Sequence, residues 1–107
     1  MLYELRTYHI LPGKMPDIEN RFRQHTIGFF ERHSIKVVGF WTEIVGRSDT
    51  LIYITAFDSM ADREEKWQAF ASDLEWLKIR EQTEGNGQIV ARVENRFLKP
   101  TNFSPLQ

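Results

Sequence analysis

Cysteine is absent from this chain of 107 residues, which removes disulfides, thiolate nucleophiles and cysteine-ligated zinc. A cysteine-free protein fits a reducing compartment, and a cytoplasmic location is the expectation. Met1-Leu-Tyr-Glu begins a strand directly, without a basic stretch ahead of an apolar run, so no signal peptide is expected. No apolar run approaches the roughly 18 residues of a transmembrane helix. An excess of either charge is missing too, at 14 Lys and Arg against 15 Asp and Glu. No basic stripe is visible, so nucleic acid is not an expected partner. Histidine is scarce: His25 and His33 lie two turns apart on a helix, not at the i, i+4 spacing of a helical zinc site, and no metal is expected. A glycine-rich phosphate loop and a nucleophile elbow are both lacking.

What is present is one domain, 41% hydrophobic and 13% aromatic, large enough to bury a working core. Residues 2–10 alternate as a strand, with Tyr3, Leu5 and Thr7 on one face and Glu4, Arg6 and Tyr8 on the other. Pro12-Gly13 stops it. A helix is predicted from about Met15 to His33, with Pro16 in its first turn. Met15, Ile18, Phe22, His25 and Phe29 mark its apolar face, and Gly28 loosens its end. Strand two spans Ile35 to Val45, Gly46-Arg-Ser-Asp49 is a hairpin turn, and strand three spans Thr50 to Phe57. Ser59 and Asp62 start a second helix like a capping box, with Met60, Arg63, Trp67, Phe70 and Leu74 as its face. A break near Ser72-Asp73 separates it from a further helical segment through Leu77 to about Glu84. Strand four runs from about Gln88 to Leu98, and residues 100–107 form an extended tail after a domain of residues 1–99.

Strand, helix, strand, strand, helix, strand is a split βαβ repeated twice, the ferredoxin-like plan of an α+β fold with a four-stranded antiparallel sheet. That plan sets strand four beside strand one. Glu4, Arg6 and Tyr8 are then expected to share a polar sheet face with Arg92, Glu94 and Arg96, with the helices on the other face. Phe40, Trp41 and Tyr53 crowd the hairpin beside it. A face both charged and aromatic predicts a covering second subunit, hence a homodimer.

Tyr3-Glu-Leu-Arg-Thr-Tyr8, Pro12-Gly-Lys14, Val38-Gly-Phe-Trp41, Phe57-Asp-Ser-Met-Ala-Asp-Arg63 and Asp73-Leu-Glu-Trp76 together resemble the NIPSNAP family, in order and over most of the chain. The resemblance implies a dimeric α+β barrel, in which two ferredoxin-like sheets close on each other. Barrels of that kind include cofactor-free monooxygenases, muconolactone isomerases and haem-degrading enzymes, and in many a small ligand sits between helices and sheet. The chain departs from the family pattern at Leu74 and Gly28, where proline is common. The haem-degrading relatives use a histidine in the region of the second helix, which this chain lacks; that argues against a haem enzyme and leaves haem binding through His25 open, and no cofactor is expected.

Two catalytic candidates follow. His25, on the predicted inner face of the first helix, would serve as a general base or hydrogen-bond a ligand; the plain alternative is a satisfied core histidine. Arg63 matches the family's arginine after the Asp-Ser turn and would hold a carboxylate or enolate oxygen; the alternative is an ion pair with Asp58, Asp62 or Glu4. Trp41, Tyr53, Trp67 and Trp76 would line a flat pocket for an aromatic ligand, or simply pack the core. The functional expectation is therefore a barrel binding a small aromatic or apolar molecule, as a cofactor-independent monooxygenase or isomerase. The alternative is a non-enzymatic dimeric scaffold, against which the mixed charges of helix two and its continuation speak.

Overall fold

Turn and cap chemistry sets the element boundaries. In the computed structural model, which describes residues 1–107, strand β1 (Leu2–Ile10) stops at Pro12-Gly13, where Gly13 adopts φ +78°. Helix α1 (Met15–Arg21) runs through a π-helical turn (Phe22–Thr26) into α2 (Ile27–Arg32). Strands β2 (Lys36–Thr42) and β3 (Thr50–Phe57) form the hairpin, α3 (Met60–Ala71) and α4 (Leu74–Thr83) follow, and β4 (Val90–Leu98) closes the domain. The sheet order is β2-β3-β1-β4, antiparallel throughout. This is the ferredoxin-like α+β fold expected from the order of elements.

Local signals explain the caps. Ser59 Oγ accepts the Asp62 amide at 3.1 Å, and the Asp62 carboxylate accepts the Asp58 amide at 2.9 Å. Asp73 accepts the amides of Glu75 and Trp76, so α4 begins at Leu74, directly after the expected break. The same Asp73 carboxylate binds His33 at 2.7 Å and Arg32 at 3.2 Å, tying the end of α2 to the start of α4. Strand β2 ends at Thr42, before the expected Val45, because Ile44 and Val45 stand in solvent.

The first helix differs from its prediction in a way that matters for the site. A π turn holds one residue more than an α turn, so every residue after it rotates around the axis. The buried positions become Ile18, Arg21, Phe22, Thr26 and Phe30, not the series ending in His25 and Phe29. Thr26 closes the wide turn by donating its hydroxyl to the Arg21 carbonyl at 3.3 Å.

The sheet faces are also the reverse of the expectation. Register pairs Glu4 with Thr55 and Phe97, Arg6 with Tyr53 and Asn95, and Tyr8 with Leu51 and Val93. These residues share the face under the helices, where Tyr53, Phe30, Phe57 and Ile18 form a core sealed from solvent. Arg92, Glu94 and Arg96 instead pair with His9, Thr7 and Leu5 on the opposite face. Alternation along β1 is real, but a charged strand face need not be wet when its charges are matched. Glu4, with no exposed surface, accepts hydrogen bonds from Arg6 Nη1 at 2.9 Å, Arg63 Nε and Nη2 at 3.0 Å each, and Asn95 Nδ2 at 2.9 Å. Burial works to raise the Glu4 pKa, but the bonds from Arg63 and Asn95 and the charges of Arg6 and Arg63 outweigh it and hold the carboxyl below its ordinary value.

Breaking a buried ion pair from one side leaves its partners uncompensated. Glu4→Gln is therefore expected to lower unfolding free energy by about 3 kcal/mol in urea denaturation. Because the folded pKa is depressed, the Glu4 contribution is complete above the ordinary carboxylate value of 4.5 and is lost as pH falls through the lower folded value. The wild type should lose stability in that acid window and Glu4→Gln should lose correspondingly less; parallel pH profiles would contradict the assignment.

Candidate functional site

Between α3, α4 and the β1–β4 half of the sheet lies a cleft of about 560 Å³. Its floor is laid by β1, whose alternation brings Arg6 and Tyr8 to the helix side two residues apart. Its walls come from Trp67 of α3 and Trp76 of α4, and its end from Arg21, the last residue before the π turn. The Arg6 guanidinium lies 4.3 Å from the Trp67 ring centroid, a cation–π stack. Trp76 packs on Phe70 at 4.9 Å between centroids.

Hydroxyl chemistry fixes the polarity of this floor. Arg6 Nε donates to Tyr53 Oη at 2.9 Å, and the Tyr53 and Tyr8 hydroxyls lie 2.9 Å apart. Tyr53 has no exposed surface, so its own O–H must find an acceptor, and Tyr8 is the one in reach. Tyr53 therefore donates to Tyr8, which frees the Tyr8 hydrogen to point elsewhere. Burial raises the Tyr53 pKa well above its ordinary value, so the phenol stays protonated near neutrality. Burial works against the Arg6 charge, but the hydroxyl oxygens of Tyr53 and Tyr8 and the charge of Glu4 outweigh it and keep the guanidinium ionised.

The six residues singled out from the sequence divide. Trp67 and Trp76 line the cleft, and Tyr53 stands directly behind it. Arg63 lies beside Trp67, at 5.2 Å from its centroid, but its guanidinium is committed to Glu4 and Glu64. His25 sits in the π turn, half-buried and without a hydrogen bond, outside the lining of the cleft. Trp41 is half-exposed on edge strand β2, its ring lying over Gly39, where a Cβ would come within 2.8 Å of it. It borders a separate depression with Phe22 and Phe40. Tyr8, Arg21 and Arg80, which line the cleft, were not expected there. Arg21 did carry a signal, an arginine wedged between Ile18 and Phe22 on a helical face. No group of three His, Asp or Glu side chains is placed to hold a metal ion.

The NIPSNAP family model matches residues 3–105, nearly the whole domain just described. The chain belongs to the NIPSNAP family. Protein NipSnap homolog 3A of Homo sapiens is 35% identical over 77 residues, covering 71% of this chain and 30% of that protein. Protein NipSnap of Drosophila melanogaster is 28% identical over 106 residues, covering 99% of this chain and 37% of that protein. The chain thus spans about a third of the length of these NIPSNAP relatives. Among solved structures, a NIPSNAP family protein of unknown function from Agrobacterium tumefaciens superposes with a TM-score of 0.88 at 29% identity, covering 100% of this chain and 94% of that one. A NIPSNAP domain protein from Burkholderia xenovorans gives a TM-score of 0.85 at 26% identity, with 98% and 99% covered. An antibiotic biosynthesis monooxygenase superposes at a TM-score of 0.64 with 7% identity, a likeness of fold alone.

In this NIPSNAP domain Tyr53→Phe should cost about 2 kcal/mol in urea unfolding, since it strips the buried Arg6 Nε of its acceptor. Tyr8→Phe, which leaves the buried Tyr53 O–H without its acceptor, should cost a comparable amount, about 1–3 kcal/mol. Ultraviolet titration should find a tyrosine resisting ionisation above pH 10.0 until the fold gives way, because burial raises the folded pKa of Tyr53, and the stability this gives, complete below the unfolded value, is lost as pH rises toward the folded one. Loss of that late step in Tyr53→Phe identifies the residue; its persistence would contradict the hydroxyl arrangement.

Proposed function

We propose that this NIPSNAP domain binds a small flat aromatic molecule in the cleft between helices and sheet, and that it does so as a homodimer. The observation that carries the binding reading is the Arg6–Trp67 stack beside the Tyr53–Tyr8 hydroxyl pair. An indole face offers area to a ring, and a hydroxyl with a free hydrogen offers one directional bond to a ring oxygen, the usual composition of a ligand site. Trp67, Trp76 and Tyr8 are the contact residues in this reading. Arg63 acts behind them by holding Glu4, and through Glu4 the Arg6 guanidinium, in place.

Turnover is the second reading. A ligand that forms its own stabilised carbanion would develop charge on an oxygen, and the Tyr8 hydrogen backed by the Arg6 charge would stabilise that oxyanion. Oxygenation or isomerisation without a metal needs little more than this and a base. The residues lining the cleft include no histidine, and their one carboxylate, Glu84, is paired with Arg21 and Arg80. Binding is therefore the reading the geometry supports best. A scaffold role would use the exposed helices, whose outer faces mix Glu64, Glu65, Lys78 and Glu81 without an apolar stripe.

The dimer reading rests on the bare face of the sheet. Leu5, Ile52 and Ile54 share that face by register, and Trp41 joins them from β2 opposite Ile52. Trp41 is 49% exposed and Leu98, at the far end of the same face, 39%. A sheet face that sets these exposed apolar side chains beside Arg92, Glu94 and Arg96 calls for a cover, and a second copy supplies one of matching shape. A cytoplasmic location completes the reading, and no helix is long and apolar enough to cross a membrane.

Thermal denaturation against an aromatic library tests the binding reading. A specific ligand present at about 100 times its Kd should stabilise by roughly 2.7 kcal/mol, and Trp67→Ala should abolish the shift while remaining folded. Absence of any stabilising aromatic compound would overturn the reading. Light scattering at micromolar concentration should return twice the 12.7 kDa mass of the chain, with Ile54→Lys returning the single mass. A monomeric wild type would overturn the dimer.

A further inference from the structure

We propose that the ligand of this cleft is a monocarboxylate, its carboxyl group held by Arg21 and Arg80 while its ring lies along Trp67 and Trp76. The inference rests on the aromatic-binding reading and deepens it. Arg21 is 6% exposed, and a guanidinium so enclosed normally has each of its five donors engaged. Here Nε has no partner, and the one hydrogen bond made is Nη1 to Glu84 Oε1 at a long 3.4 Å. The Trp76 ring lies 5.8 Å from the guanidinium carbon. A buried cation with so little compensation is costly unless an anion completes it.

The charge balance of the cleft gives the size of what is missing. Three arginines reach it from the helix side, Arg6, Arg21 and Arg80, and Arg92, which pairs with His9 on the other face, also borders it, against a single carboxylate, Glu84. Arg6 has Glu4 at 2.9 Å and Arg92 has Glu94 at 3.3 Å. Arg21 and Arg80 are left to share Glu84, at 3.4 and 3.9 Å, which leaves one positive charge unmatched. A monoanion closes that balance, and the planar fork of arginine matches a carboxylate. A phosphate dianion would overshoot it. Phosphate sites also lean on glycine-rich backbone nests, and no glycine lines this cleft. The free hydrogen of Tyr8 then meets a neutral oxygen on the ring, so the site reads a ring with an acid group and a separate acceptor.

The test is calorimetric titration of the folded wild type at pH 7 and fixed ionic strength with 2-naphthoate and its neutral counterpart 2-naphthamide. A charge-assisted pair of bonds should make the acid bind about tenfold or more tightly than the amide. Arg80→Gln, at a side chain 58% exposed and so dispensable to folding, should reduce that preference several-fold. Arg21→Met, which keeps the packing of the stem, should abolish it while leaving the amide affinity in place. If Arg21→Met does not fold, Arg80→Gln decides. Equal affinity for acid and amide in the wild type overturns the carboxylate inference and leaves the aromatic cleft standing. Binding of neither probe, with no other aromatic compound stabilising the fold, overturns both. Inorganic phosphate displacing naphthoate at equal concentration overturns the monoanion.

Discussion

The buried carboxylate of Glu4 decides how this domain is put together. An acidic side chain without exposed surface is tolerated only if its lone pairs are filled, and four hydrogen bonds from Arg6, Arg63 and Asn95 fill them. Those three partners come from β1, α3 and β4. One carboxylate therefore pins a helix to two neighbouring strands and fixes which face of β1 turns inward. Once Glu4 is inside, period-two alternation carries Arg6 and Tyr8 inside with it.

The cleft follows from that placement. Arg6 is held by Glu4 and by Tyr53, so its guanidinium is presented over the Trp67 ring. The same restraint orders the two phenols, and the order of their protons leaves Tyr8 as a donor to the cleft. At the other end Arg21 stands inward beside Ile18 and Phe22, and the π turn that follows it closes on its carbonyl through Thr26. Two structural devices, a buried ion network and a widened helical turn, thus converge on one cavity.

The element order, β3 to the residue and the break at Ser72-Asp73 were legible in the sequence, because alternation, capping residues and turn residues are local signals. The NIPSNAP resemblance was legible too, since its motifs are short and ordered. The inward face of β1 was not. Tyr3-Leu5-Thr7 and Glu4-Arg6-Tyr8 are both mixed, and only long-range partners such as Arg63 and Asn95 show that the charges are matched. The place of His25 was equally hidden, because a π turn has no firm sequence signature and shifts every later residue around the helix. Trp67 and Trp76 were visible as aromatics on a helical face, whereas Arg21 among apolar neighbours invited less attention than a histidine.

The chain covers about a third of its longer NIPSNAP relatives, so the domain's own site is the level at which its chemistry is best addressed. The three tryptophans provide a direct reading of that site, because each gives one indole N–H resonance and they occupy different places. In a nitrogen-15 spectrum titrated with 2-naphthoate, the Trp67 and Trp76 signals should move with a common saturation while the Trp41 signal stays fixed. Movement of Trp41 alone, or of none of the three, would contradict a ligand cleft between the helices and the sheet.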